Sequence, residues 1–104
     1  MRTVKVCDIR IGADRPMVFI AGPCVIENRR QCLQVAGRLA KLARALKVPF
    51  IFKASYDKAN RSSHESFRGP GLSKGLEILR EVRERFGVPI LTDVHSEQEV
   101  PLAA

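Results

Sequence analysis

The sequence predicts an α/β fold with parallel strands, and three observations point to it. Short continuous apolar runs recur at Met17–Ala21, Phe50–Phe52 and Val88–Thr92. Between them lie two long stretches with apolar residues at three- and four-residue steps. Each apolar run is followed by a cluster of Gly, Pro, Ser or charged residues that ends it. Strand–helix alternation of this kind implies parallel strands joined by crossovers.

The elements follow in order. Thr3–Ile11 alternates Val4, Val6, Ile9 and Ile11 with polar residues, and Gly12–Pro16 is a turn signal, so the N-terminus reads as a strand entering a hairpin. Met17–Ala21 is apolar throughout, as expected of a strand buried on both faces, and Gly22-Pro23 stops it. Asn28 is a candidate N-cap for a helix whose apolar face is Cys32, Val35, Ala36, Leu39, Leu42, Ala43 and Leu46. Arg38, Lys41 and Arg44 fall largely on the opposite side. Pro49 introduces the second run, and Ser55–Leu72 has no apolar period and reads as a loop. Ser73 is the expected cap of the next helix, with Leu76, Leu79, Val82 and Phe86 as its buried stripe and Gly87 as its stop. After the third run, Ser96 with Glu99 has the spacing of a capping box.

A doubly wound sheet and a (β/α)8 barrel both fit this order. A barrel needs roughly 250 residues, and an open three-stranded parallel sheet would not cover both faces with barely two helices. The 104 residues therefore read as one incomplete domain: an N-terminal hairpin and about the first three βα units of a larger fold.

Composition narrows the partners. A hydrophobic fraction of 45% and a charged fraction of 28% describe a globular chain. No apolar run approaches the ~18 residues of a membrane span, and no apolar signal-peptide core follows Arg2 and Lys5, so the expected compartment is the cytoplasm. Cys7, Cys24 and Cys32 match neither zinc-finger nor redox spacing and read as reduced, buried thiols. The net charge of +7 suits nucleic acid or a phosphorylated metabolite. Most of the arginines fall on helix faces, and five Phe and one Tyr offer no base-stacking platform. A stand-alone basic module for anions or nucleic acid is the alternative class.

In α/β folds the working residues lie past the C-terminal ends of the strands. Those positions hold Gly22-Pro23-Cys24 with Glu27, then Lys53 and Ser55, then Asp93 and His95. The loop Ser55–Leu72 exceeds the ~2–6 residues of most βα connections. It carries Lys58, Arg61 and Arg68 among Asn60, Ser62 and Ser63, a mixture suited to phosphate or carboxylate. A solvated basic loop would show the same composition. Cys24 and His95 are chemically capable of ligating a zinc- or iron-type ion. A Cys–His nucleophile pair is a further possibility. Lys53 fits either a Schiff-base lysine or a partner for Asp93 or another carboxylate.

The run Phe52-Lys53-Ala54-Ser55-Tyr56-Asp57-Lys58-Ala59-Asn60-Arg61-Ser62-Ser63, with Ser66-Phe67-Arg68-Gly69-Pro70-Gly71-Leu72, resembles the 3-deoxy-octulosonate-phosphate synthase family. Ala21-Gly22-Pro23-Cys24-Val25-Ile26-Glu27 and Thr92-Asp93-Val94-His95 resemble its first and third strand ends, so the likeness extends from about Val4 to Ala104. Gly-Pro-Cys is shared with the sister heptulosonate-phosphate synthases. Lys58–Ser63 is the specific part, and Asn60-Arg61-Ser62 disfavours the sister activity.

The resemblance implies a (β/α)8 TIM barrel, usually a homotetramer, with the hairpin covering the barrel bottom. It implies condensation of phosphoenolpyruvate with D-arabinose 5-phosphate and water, without a Schiff base. The products are 3-deoxy-D-manno-octulosonate 8-phosphate and phosphate, for lipopolysaccharide synthesis. By position, Lys53 and Lys58 would contact phosphoenolpyruvate, and Lys58 and Asn60 the sugar chain. Arg61 and Ser62 would hold the sugar phosphate, and Asp93 and His95 would line the pocket, His95 near the attacking water. Cys at position 24, where other members have Asn, implies the metal-dependent type, with Cys24 ligating a divalent zinc, iron or manganese ion. The family's remaining ligands, a His, a Glu and an Asp from later strands, have no counterpart here, and His95 would stand beside the metal without binding it. This chain alone is expected to be inactive. His64-Glu65 departs from the family's usual apolar residue followed by His or Asn.

Overall fold

The computed structural model describes residues 2–58 and 69–104. The N-terminus forms a two-stranded antiparallel hairpin of β1 (Val4–Val6) and β2 (Ile9–Ile11), with Val6 opposite Ile9. The hairpin reverses at Cys7-Asp8, inside the stretch expected to be one strand; Gly12–Pro16 turns as expected, the Arg15 N–H donating to the Gly12 carbonyl at 3.1 Å, but it does not join two paired strands. Cys7 adopts a left-handed conformation (φ 52°), which lets two residues reverse the chain.

The main sheet is parallel and three-stranded, in the order β3 (Phe19–Ala21), β4 (Phe50–Lys53), β5 (Ile90–Leu91). Between the strands run α1 (Arg29–Leu46) and α2 (Leu72–Phe86). The chain ends in a 3-10 turn, Glu97–Glu99, that continues into the short helix α3 (Val100–Ala103). The expected order of elements is thus observed.

Local chemistry accounts for the helix limits, with two corrections. Asn28 caps α1 as predicted, its Oδ1 accepting from the Gln31 N–H at 2.8 Å. Gly87 stops α2 in a left-handed conformation. Ser73, however, lies inside α2, whose N-cap is Gly71 with no side-chain cap. The capping box also does not form. Ser96 makes no side-chain cap bond, and Glu99 reaches one residue further back, to the His95 N–H at 3.0 Å.

The core lies between α1, α2 and one face of the sheet. It contains Ile26, Cys32, Leu33, Ala36, Ala40, Phe50, Phe52, Ile78, Leu79 and Val82. Phe50 and Phe52 point at the helices, and alternation puts Ile51 on the other face. The helices pack on each other. Arg29 joins them in a two-pronged pair with Glu81, Nε to Oε2 at 2.7 Å. This pair is exposed, so its contribution is small.

Burial on both faces is not observed for β3. Phe19 is 48% and Ile20 51% exposed, because β3 is an edge strand and no described helix covers its second side. Leu42 and Leu46, read as part of the α1 stripe, are likewise exposed. Of the cysteines only Cys32 is buried, and burial pushes its thiol up to about 11. Cys7 and Cys24 are exposed, one in the hairpin turn and one beyond β3.

Candidate functional site at the strand ends

The carboxyl ends of β3, β4 and β5 carry the candidate residues, and the backbone there is held by pairing that outlasts the strands. Val25 forms a parallel bridge with Ser55, and the Ile26 N–H donates to the Ser55 carbonyl at 3.0 Å. Ala21 pairs with Phe52, so between the two pairings β3's side has Gly22, Pro23 and Cys24 where β4's side has only Lys53 and Ala54. One extra residue makes the chain bulge outward at Cys24. Gly22 is required at the start of the bulge. A Cβ there would stand 1.8 Å from the Lys53 carbonyl oxygen, which is backbone and cannot yield. An open cleft of about 210 Å³ results, lined by Gly22, Pro23, Cys24, Lys53, Ser55 and Lys58 among others.

Ser55 is the hub. It is 1% exposed, donates its hydroxyl to Asp93 Oδ1 and accepts from Lys58 Nζ at 2.6 Å. Burial alone would raise the Asp93 carboxyl. The Ser55 hydrogen bond, with the charge of Lys58 next, outweighs burial and holds it below the usual range. His95 adjoins the same carboxylate, Nε2 to Oδ2 at 3.5 Å, and its Nε2 lies 2.8 Å from the Asp57 carbonyl oxygen. Thr92 fastens the third strand end to the second, its hydroxyl donating to the Ala54 carbonyl at 2.9 Å.

The structure thus brings Lys58, Asp93 and His95 together around Ser55, with Lys53 and Cys24 on the adjoining cleft. Asp93 takes Ser55 and Lys58 as its partners, not Lys53. The expected anion-binding residues Asn60, Arg61 and Ser62 lie outside the described residues. So do Ser63, His64, Glu65 and Arg68. Sequence reasoning put Ser55 among the strand-end positions without a specific role, read Glu99 only as half of a capping box, and overlooked Tyr56, which contacts Glu99. A lone tyrosine in a segment without apolar period was the available signal.

Among the described residues, no three His, Cys, Asp or Glu side chains converge as a metal would require. Cys24 has no such companions, so these residues by themselves do not fit the ion. No described helix is long and apolar enough to cross a membrane.

Comparison with known proteins decides the family. The model of the DAHP synthetase I family matches residues 2–104. The chain belongs to that family. Its similarity to curated proteins is finer still. It is 58% identical over 101 residues to a 2-dehydro-3-deoxyphosphooctonate aldolase of Methylibium petroleiphilum, covering 97% of this chain and 35% of that protein. It is 54% identical over 104 residues to the protein of the same name from Geotalea daltonii, covering 100% of this chain and 38% of that one. For Alkalilimnicola ehrlichii the identity is 55% over 99 residues, 95% of this chain and 35% of its relative. The chain therefore spans little more than a third of the length of these relatives.

Proposed function

We propose that this chain forms the first part of the catalytic domain of an enzyme that condenses phosphoenolpyruvate with D-arabinose 5-phosphate and water. The products are 3-deoxy-D-manno-octulosonate 8-phosphate and phosphate, which places the enzyme in lipopolysaccharide biosynthesis. The observation that carries the reading is the meeting of Lys58, Ser55, Asp93 and His95 at the ends of parallel strands. It does so in a chain 50–58% identical to proteins named 2-dehydro-3-deoxyphosphooctonate aldolase.

The chemistry suits that cluster. Both organic substrates are phosphorylated, and a basic site answers their charge. Lys53 on the cleft and Lys58 beside it supply cations for the carboxylate and phosphate of phosphoenolpyruvate, where charge moves as the phosphate leaves. Asn60, Arg61 and Ser62 complete the proposal as the sugar and sugar-phosphate contacts. Asp93 and His95 line the pocket, His95 beside the attacking water. Helices on a single described face of the sheet favour a (β/α)8 barrel over a doubly wound sheet, which needs both faces covered. Assembly as a homotetramer in the cytoplasm is part of the same proposal.

The test is phosphate release by the polypeptide that carries this chain. Release should require phosphoenolpyruvate and arabinose 5-phosphate together. Release from phosphoenolpyruvate at the same rate without the sugar phosphate would refute the reading.

Cys24 is proposed as one ligand of a divalent zinc, iron or manganese ion, with the remaining donors supplied from outside this chain. When bound, such an ion would activate or orient water. Replacing Cys24 with Asn should lower the metal content of the purified enzyme. Unchanged metal content and chelator sensitivity would remove Cys24 from the ligand set.

A further inference from the structure

Tyr56 is 1% exposed, yet its polar end is not idle. Its hydroxyl donates to Glu99 Oε1 at 2.5 Å, across 43 positions of sequence. The same oxygen accepts the backbone N–H of His95 at 3.0 Å. The Tyr56 ring meets the His95 ring edge to face, centroids 5.5 Å apart and planes at 77°. The next residue along from Tyr56, Asp57, places its carbonyl oxygen 2.8 Å from His95 Nε2. His95 is thus held at its backbone, its ring and its ring nitrogen by one short segment and one carboxylate.

We infer that Tyr56 and Glu99 are positioning residues that set the orientation of the His95 imidazole at the strand ends. The inference deepens the functional reading and rests on it for the role of His95, while the arrangement itself does not depend on it. A carbonyl oxygen only accepts, so His95 Nε2 bears the proton on Asp57, and neutral His95 keeps its lone pair on Nδ1. The positioning contacts are built to persist. Burial first, and the Glu99 contact next, push the Tyr56 phenol up to about 12, so it stays a donor. The Tyr56 hydrogen bond, with the His95 N–H, holds the Glu99 carboxyl below the usual range, so it stays an acceptor. Glu99 stands at the N-cap of α3 but its side chain makes no cap hydrogen bond there, which leaves this contact as the use of its carboxylate.

The test is ring-labelled histidine NMR on the full chain, which has two histidines, assigned with a His95→Gln variant. The unsubstituted chain should show cross-peaks between the Tyr56 and His95 rings and an Nε2–H tautomer for neutral His95. Glu99→Ala should lose the cross-peaks and move the His95 ring signals toward those of free histidine. Glu99→Gln keeps an acceptor oxygen and should retain them. Absence of the cross-peaks in the unsubstituted chain would overturn the inference without any variant, as would their persistence in Glu99→Ala. The measurement needs no turnover. The functional reading is judged separately, on phosphate release by the polypeptide that carries this chain: failure there with intact cross-peaks would sink that reading alone, and activity there without the cross-peaks would sink this inference alone.

Discussion

Ser55 shows how much a single buried hydroxyl can organise. It has no charge and no apolar bulk, and among the described residues it and Tyr56 are the buried side chains that carry a hydroxyl. Its hydrogen bonds nevertheless join a cation from one strand end to a carboxylate from the next. Replacing Ser55 with Ala should cost about 1–3 kcal/mol, since hydrogen bonds to charged groups are lost in a buried setting. Urea denaturation at neutral pH measures this. The pH dependence has a definite sign. Asp93 is held below its ordinary value of 3.8, so its contribution is fully present above that value and disappears as pH falls through the lower folded value. The gap between Ser55→Ala and the parent chain should therefore narrow as pH drops below 3.8, and an equal gap at all acidic pH values would refute the Ser55–Asp93 linkage. In the sequence, Lys53, Lys58, Asp93 and His95 were legible because their charge stands out at strand ends. Ser55 was not, because a serine after a strand looks the same whether it caps a loop or bridges two charges. Tyr56 and Glu99 were hidden for a related reason, since contacts spanning 43 positions leave no local spacing.

At the scale of elements, the close approach of α2 to the second strand end governs the site's second side. Gly75 in α2 is buried, and a Cβ there would stand 2.3 Å from Tyr56 Cβ. The glycine costs the helix about 1 kcal/mol relative to alanine, yet it lets the helix seat directly on Tyr56. Gly75→Ala is thus predicted to destabilise the chain by about 1–3 kcal/mol despite its better helix propensity, as overpacked cores generally do. A thermal melt checks the sign, and a stabilised variant would show that the contact is not tight. Helices α1 and α2 and the strand order were readable from periodicity, including the Asn28 cap and the Gly87 stop. The failures share a cause. The Ser73 cap and the Ser96–Glu99 box were assigned from residue type alone, and the hairpin's reversal was missed at Cys7-Asp8, although the turn at Gly12–Pro16 does form. Tertiary contacts and a left-handed Cys7 then moved the boundaries by a few residues.

For the whole molecule, the pattern of exposure agrees with a sheet made to be extended. Met17, Phe19 and Ile20 on one side, and Leu91, Val94, Val100 and Leu102 on the other, are large apolar residues left partly in solvent. An edge strand in this condition is a surface for further pairing. The sequence pattern could not reveal that exposure, because an apolar run reads as buried whether or not its partners are present. It did reveal the parallel order, and with it the end of the sheet where chemistry collects. The central claim is that this end is catalytic in the synthesis of octulosonate phosphate. Its most direct test replaces the aligned segment of the Methylibium petroleiphilum relative, 58% identical over 101 residues, with this chain. The chimera and its Lys58→Met variant are then assayed for octulosonate phosphate. The chimera should make the product, and Lys58→Met should fold and lose at least about a hundredfold in kcat/KM, the scale set by removing one electrostatic stabiliser. A folded chimera that makes no product, or a Lys58→Met variant as active as its parent, would contradict the account.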